Sequence, residues 1–332
     1  MNRSTDTKRI RNANRRFSRR RFLDSVAVFS GALVLRGAAS AWQTGARIST
    51  TDLNGAFLLQ GAGGNVLALR GPSEERRQGV PGDQGALMVD GGLAANAEAL
   101  IAAVKTATGA TRVHTLFNTH GHQEQVGANE IVGRAGGVII AHEKTQQYLS
   151  NSVESVEFKG RRAPLPQPAR PTKTVRGEGS MEFGGQQIEA GYMLQAHTDS
   201  DIYVHFPQAK LLMVGDVVSP GRYPDLDWST GGWITGMVEG QRALLAVAKD
   251  DTRIVAGTGG VMTKADLQAH FDKLLAIRDG MVKLFRQGKG ADEMQADGLT
   301  KEYDAQWGDP KQFLHNAYHG MWGHVREVGG IV

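Results

Sequence analysis

The chain has 332 residues, enough for one large or two ordinary domains, and its lack of cysteine excludes disulfides and thiolate metal ligands. The formal charge of +4 is uneven, because residues 1–41 hold ten Lys or Arg and two acids, while 28 basic and 32 acidic residues follow. The basic excess therefore belongs to the N-terminus, and the composition of the rest gives no support for nucleic-acid binding.

The first 41 residues have the parts of an export signal in the right order. Arg19 and Arg20 resemble the start of a twin-arginine signal, an apolar stretch from Ser25 to Leu35 follows, and small residues end the segment at Ala41. This apolar stretch is too short for a stable membrane anchor. We therefore predict an export signal over 1–41 that is recognised by the twin-arginine export machinery. The rest of the chain, 42–332, is predicted to be a single soluble domain that is periplasmic or secreted.

The first half of that domain alternates strand and helix patterns. A Gly-rich turn between two short apolar runs predicts a β-hairpin, and the polar segment from Gly71 to Gly85 predicts a loop. The two strands of the hairpin are Ala56–Leu59 and Val66–Leu69. The other predicted strands are Ala86–Gly92, Val113–Asn118 and 137–142, and the predicted helices are Leu93–Thr108 and Gly127–Arg134.

The second half repeats this organisation after a segment rich in Pro and Arg, Asn151–Lys173, which we predict to be irregular surface chain. Strands follow at 181–194 and at 201–216, the latter a hairpin that turns at Pro207–Lys210. Further predicted elements are helix Gln241–Ala248, strand 252–257 and a long amphipathic helix, Lys264–Arg286. Two groups of strands, each followed by helices, predict two packed sheets with helices outside.

Histidines and an acid stand where several predicted strands end. Side chains two residues apart on extended chain point to the same side, so His120 and His122 can grip one ion. His197 opens a loop after a later strand, and Asp216 closes an apolar strand behind a glycine. Three imidazoles with one open position are typical of catalytic zinc, and a nearby acid can orient the bound water.

The order of five segments, "GGNVLAL", "ALMVDGG", "THGHQEQVGAN", "HTDSD" and "LLMVGD", resembles the metallo-β-lactamase superfamily. The resemblance implies an αββα sandwich of two mixed β-sheets with helices on the outer faces, and a metal site at one edge of the sheets. It also implies that His120, His122 and His197 form the first metal site, and that Asp216 is the acid bridging to the second.

The chain departs from the family pattern at the second metal site. Glu124 stands for the family's Asp, Gln125 for its next His and Thr258 for its last His. Amide and hydroxyl oxygens are weaker ligands than imidazoles, so the resemblance implies one tightly held Zn²⁺. A second ion at Glu124 and Asp216 would be weak or absent.

The expected activity is hydrolysis of a small-molecule ester, lactone, amide or phosphoester by zinc-activated water. Asp216 would orient that water, and Glu124 could relay a proton if it is not a ligand. A Gly- and Pro-rich loop that follows Asp216 is expected at the mouth of the site and is predicted to contact substrate. Its candidate residues are Arg222, Tyr223, Trp228 and Trp233.

Two other readings remain open. His120, His197 and Asp216 could hold a single iron, as in the persulfide dioxygenases of the same superfamily, which would make the protein an oxidoreductase. Alternatively, the chain could keep the fold as a binding protein that has lost catalysis, as the changes at Gln125 and Thr258 suggest.

Overall fold

The computed structural model describes residues 47–71, 85–155 and 160–329. The predicted export signal over 1–41 lies outside these ranges. Within them, no helix combines the length and the apolar character needed to cross a membrane.

The first sheet has seven strands in the order β1-β2-β3-β4-β5-β6-β9. The bounds are β1 Ser49–Asp52, β2 Ala56–Gln60, β3 Val66–Arg70, β4 Gly85–Val89, β5 Arg112–Phe117, β6 Val138–His142 and β9 Lys173–Val175. β2 and β3 form the predicted antiparallel hairpin, whereas β4, β5, β6 and β9 are parallel, so their C-terminal ends meet at one edge. The helices of this half are α1 Ala97–Thr108, α2 Gln123–Val126, α3 Asn129–Arg134 and α4 Glu143–Ser150.

The second sheet has five strands in the order β10-β11-β12-β13-β14. The bounds are β10 Gly179–Phe183, β11 Gln186–Met193, β12 Asp201–Phe206, β13 Leu211–Gly215 and β14 Arg253–Ala256. The last two strands are parallel and the others pair antiparallel, which makes this sheet mixed. Its helices are α5 Ile234–Val247, α6 Lys264–Arg286, α7 Ala291–Ala296, α8 Lys301–Trp307 and α9 Lys311–Gly323.

Buried apolar side chains form three layers, which define the sandwich. One lies between the two sheets and joins residues such as Leu87 and Phe117 to Phe206. The second packs α1 and α3 on the outer face of the first sheet, and the third packs α5 to α9 on the outer face of the second. The predicted αββα sandwich of two mixed sheets is thus confirmed.

Tertiary contacts changed two of the predicted elements. The segment Asn151–Lys173 is not wholly irregular, because it contains a short antiparallel hairpin, β7 Val153–Ser155 and β8 Gly160–Arg162. Helix α5 begins seven residues before its predicted start, although two glycines in its first half disfavour a helix. A Cβ at Gly236 would overlap the Gln195 carbonyl, so this glycine permits close packing that local propensity does not reveal.

A buried histidine in α6 links folding to pH. His270 contacts the Oε1 atom of Gln241 through Nδ1 at 3.1 Å. Burial is the main cause that lowers the pKa of His270 to about 4, and the charge of Lys273 lowers it further. A backbone hydrogen bond at Ser219 opposes this shift. In the unfolded chain this histidine is protonated below its ordinary pKa of about 6.5. Its contribution to the free energy of unfolding is therefore complete above that pH and is lost as the pH falls.

We therefore expect the free energy of unfolding to fall as the pH drops from 6.5 towards 4, with His270 contributing up to about 3 kcal/mol of the loss. Urea unfolding at several pH values in this window should show a flatter dependence for His270→Gln, whose amide still donates to Gln241. The exposed His315→Gln is the matched control. Equal pH slopes for wild type and His270→Gln would contradict the assignment.

Candidate metal centre

Three imidazoles from two loops converge at the edge where the parallel strands end. His120 and His122 follow β5, and His197 follows β11. Their ligand nitrogens all lie within 4.8 Å of one another, and all three residues are buried. Among the residues that the structure describes, this is the one group of three or more His, Asp or Glu side chains that could hold a metal.

A buried hydrogen-bond network holds the loop that carries His120 and His122 at the edge of the sheet. Asp90, at the end of β4, accepts the Thr119 N–H at 2.8 Å, and Thr119 Oγ1 lies 2.9 Å from Asp90 Oδ2 and 3.1 Å from His120 Nδ1. Burial raises the pKa of Asp90, while the hydrogen bonds from Thr119 oppose that rise. Gly215 adopts φ +56°, and a Cβ there would press on Thr119 Oγ1, so glycine lets β13 approach this network.

Outer hydrogen bonds orient the other two imidazoles. His197 Nδ1 lies 2.9 Å from the Asp225 carbonyl, which only accepts, so Nδ1 donates and Nε2 faces the cluster. His122 Nε2 lies 3.1 Å from Asp227 Oδ2 and donates to that carboxylate, which turns Nδ1 towards His197. These bonds direct Nδ1 of His122 and Nε2 of His197 towards each other, as the donor atoms of a possible metal site.

The donor nitrogens of His122 and His197 have the spacing of a tetrahedral metal site. His122 Nδ1 and His197 Nε2 are 3.1 Å apart, close to the roughly 3.3 Å expected between two nitrogens on one tetrahedral zinc. His120 Nε2 is buried and has no hydrogen-bond partner among the described residues. Burial lowers the pKa of His120 well below its usual range, helped by repulsion from the other two rings, so the imidazole is neutral as metal binding requires.

Asp227 is a site residue that the sequence did not reveal. It precedes a short 3-10 turn, Trp228–Thr230, and accepts the N–H groups of Ser229 and Thr230 as a cap. Burial alone would raise the pKa of Asp227, but hydrogen bonds from His122, Ser229 and Thr230 outweigh burial and lower it. The pattern Asp-x-Ser-Thr indicates only a local cap, because the contact with His122 spans 105 residues.

The predicted acid Asp216 lies beside the cluster. Its Oδ2 is 3.5 Å from His120 Nε2 and accepts a hydrogen bond from Gln125 Nε2 at 3.3 Å. Gln125 therefore orients Asp216 in this structure. Glu124 lies half-buried on α2 with its backbone beside Gly64, and it is not a member of the metal-binding group. Its role as a ligand or proton relay stays a prediction.

The alternative prediction of a single iron used His120, His197 and Asp216 as ligands and did not include His122. In the structure His122 Nδ1 lies 3.1 Å from His197 Nε2, and the ligand nitrogens of all three imidazoles lie within 4.8 Å of one another. This arrangement favours a three-histidine set over a facial triad of two His and one Asp.

The predicted substrate loop divides into exposed and buried residues. Arg222 lies at the surface, where it pairs with Asp225 at 2.6 Å and donates to Thr258 Oγ1 at 3.4 Å. Trp228 is half-buried and stacks on His319.

Tyr223 and Trp233, which were predicted to contact substrate at the mouth of the site, are both buried in the structure. Both belong to the outer core of the second sheet. The Tyr223 hydroxyl donates to Asp304 Oδ1 at 2.7 Å, and its ring packs against Trp307 and Phe313. Trp233 stacks on His324. An aromatic residue in a glycine-rich loop gives the same sequence signal whether it faces substrate or core.

Gly257 sets the position of the Asp216 carboxylate. A Cβ added to Gly257 would overlap Oδ1 of Asp216, whereas the nearest backbone atom to that Cβ, the carbonyl carbon of Gly215, would be 3.3 Å away. We expect Gly257→Ala to displace the carboxylate from His120 and to lower kcat by roughly 10- to 100-fold, as loss of an outer-shell partner does. Metal content should change little, because the three imidazoles remain. Kinetics and metal analysis of the same preparation test this, with the open-sided Gly260→Ala as control.

Comparison with known proteins agrees with this architecture. A metallo-beta-lactamase from Pontibacter korlensis superposes with a TM-score of 0.50 at 20% identity, covering 69% of this chain and 93% of that one. The sec-alkylsulfatase Pisa1 from Pseudomonas sp. superposes with a TM-score of 0.59 at 15% identity, covering 81% of this chain but only 49% of that one. At these identities the likeness concerns the fold alone, and no curated protein sequence matches the chain.

The family assignment comes from the sequence itself. The pattern of the metallo-beta-lactamase superfamily matches residues 79–276, more than half of the chain. This stretch includes both ligand loops and Asp216. The chain therefore belongs to the metallo-β-lactamase superfamily.

Proposed function

We propose that the protein is an exported metal-dependent hydrolase that uses one tightly held ion at His120, His122 and His197. The observation that carries this proposal is the convergence of three buried, oriented imidazole nitrogens at one point. A Zn²⁺ held there would lower the pKa of a bound water to about 7 and polarise a carbonyl, phosphoryl or sulfuryl oxygen. Zinc suits three neutral nitrogens with one open position.

The protein's own groups supply the rest of the chemistry. Asp216, partly open to solvent and held by Gln125, would accept a hydrogen bond and then a proton from a water bound beside His120. Asp227 and the Asp225 carbonyl keep two imidazoles in the required tautomers. Arg222, which donates to Thr258, would provide a positive charge to stabilise a negatively charged leaving group.

Metal analysis is the first test. Protein purified after export from a bacterial host should contain about one zinc per chain, and it should hydrolyse at least one member of a panel of esters, lactones, β-lactams, phosphodiesters and secondary alkyl sulfates. Iron as the bound metal, with oxygen consumed on a persulfide, would instead support the oxidoreductase. Absence of any bound metal in protein purified without chelators would leave a binding protein and overturn the proposal.

Export is a separate part of the proposal and rests on the arginine pair at the N-terminus. Replacing both Arg19 and Arg20 by lysine should keep the precursor in the cytoplasm, because the twin-arginine pathway reads these two residues. Fractionation of cells that express either form checks this. Periplasmic delivery of the lysine variant at the wild-type level would contradict twin-arginine export.

A further inference from the structure

We infer that Arg162, on the short hairpin β7–β8, is a positioning residue that sets the metal affinity of the site by joining both ligand loops. This inference rests on the proposed function only in that the three imidazoles bind a metal. Nothing in the sequence of this hairpin indicates such a role, because its segment lacks periodicity.

The first contact of Arg162 is with the ligand loop itself. Its Nη1 donates to the carbonyl of Gly121 at 3.1 Å, and Gly121 stands between His120 and His122. A hydrogen bond at this carbonyl fixes the peptide that joins the two ligands, and therefore the angle between their rings. Close packing does not fix this peptide, because a Cβ at Gly121 would meet only Thr145, at 3.7 Å.

The second contact anchors the guanidinium to a helix end. Nη2 of Arg162 donates to the Tyr148 carbonyl at 2.9 Å, and Tyr148 lies in the last turn of α4. The final carbonyls of a helix have no partner within the helix and carry its partial negative charge, so they attract a cation. Leu165 N–H donates to the neighbouring Leu149 carbonyl and completes this cap.

Helix α4 in turn holds the other ligand loop. The Tyr148 hydroxyl donates to Asp199 Oδ1 at 2.6 Å, and Lys144 Nζ pairs with Asp199 Oδ2 at 3.0 Å. Asp199 lies two residues after His197. Its N–H also donates to the Thr230 carbonyl, close to the Asp227 that orients His122. One guanidinium thus connects the loop of His120 and His122 to the loop of His197 through α4.

The geometry suits arginine better than lysine. The two terminal nitrogens of a planar guanidinium stand at a fixed spacing and serve two different carbonyls at once, whereas an ammonium is a single point donor. Burial lowers the pKa of Arg162 from its usual high value. A guanidinium nevertheless stays protonated in proteins, so the group is charged at neutral pH.

The test measures metal affinity without any substrate. Zinc dissociation constants from competition with a chromophoric chelator should be about 10- to 100-fold higher for Arg162→Ala than for wild type, as found for outer-shell partners of metal ligands. The visible spectrum of the Co²⁺-loaded protein should change as well, because its intensity reports coordination geometry. Arg161→Ala, an exposed arginine of the same hairpin, is the matched control and should bind zinc as wild type does.

A second variant covers the case in which Arg162→Ala does not fold, as judged by circular dichroism of the metal-free protein. Arg162→Lys keeps the charge and most of the stem, and should bind zinc several-fold more weakly than wild type, with an altered Co²⁺ spectrum. Wild-type affinity and spectrum in whichever Arg162 variant folds would overturn the inference while leaving the hydrolase proposal intact. Failure of the wild-type protein to bind zinc would instead overturn the proposed function, and with it the inference.

Discussion

Replacing His120 by alanine should remove the bound metal and any hydrolytic activity. His120 is fully buried, and its Nε2 faces the other two imidazoles, so its loss leaves two nitrogens where a tetrahedral ion requires at least three protein ligands. Metal affinity and kcat/KM should each fall by more than about 100-fold, beyond the effect known for outer-shell partners. Elemental analysis and kinetics on the same preparation measure both quantities.

The matched control for this variant is His114→Ala. His114 lies on the same strand, β5, but outside the metal-binding group, and its Nδ1 contacts the Thr115 hydroxyl. It should keep about one metal per chain and the wild-type rate. Retention of metal and activity by His120→Ala would place the active centre elsewhere and reject the three-histidine site.

Asp227→Asn should weaken metal binding by about 10- to 100-fold, although it changes only one atom. Oδ1 of Asp227 accepts from Ser229 and Thr230, and Oδ2 accepts from His122 Nε2. An asparagine that keeps its oxygen on the cap side presents an NH₂ group to His122 Nε2. That contact favours the tautomer with a proton on Nδ1, the nitrogen that would hold the metal.

Zinc titration against a competing chelator measures this loss, and Asp225→Asn is the control. The Asp225 carboxylate is 61% exposed and pairs with Arg222, while its backbone carbonyl, which orients His197, is unchanged by the substitution. This control should bind zinc as wild type does. Equal affinities for the two asparagine variants would show that the carboxylate of Asp227 does not orient His122.

The strand patterns and the strand-end histidines were readable from the sequence because they depend on local periodicity. Alternating or continuous apolar runs identified the hairpin of β2 and β3, and the pattern of α6 gave the bounds that the structure has. The edge strand β1 was missed, since its four residues, Ser49–Asp52, are polar and exposed and carry no apolar signal. The start of α5 was missed because close packing overrides the low helix propensity of glycine.

The sequence by itself determined the sandwich, the three imidazoles and the acid Asp216, because a strand that ends in a histidine places its ligand at the sheet edge whatever the rest of the chain does. Only the tertiary structure decided which nitrogen of each ring faces the other two rings. For His197 and His122 that choice depends on Asp225 and Asp227, whose contacts with these rings span 28 and 105 residues. Tertiary structure also decided that Tyr223 belongs to the core, because burial depends on the helices that pack over a loop and not on the loop's own residues.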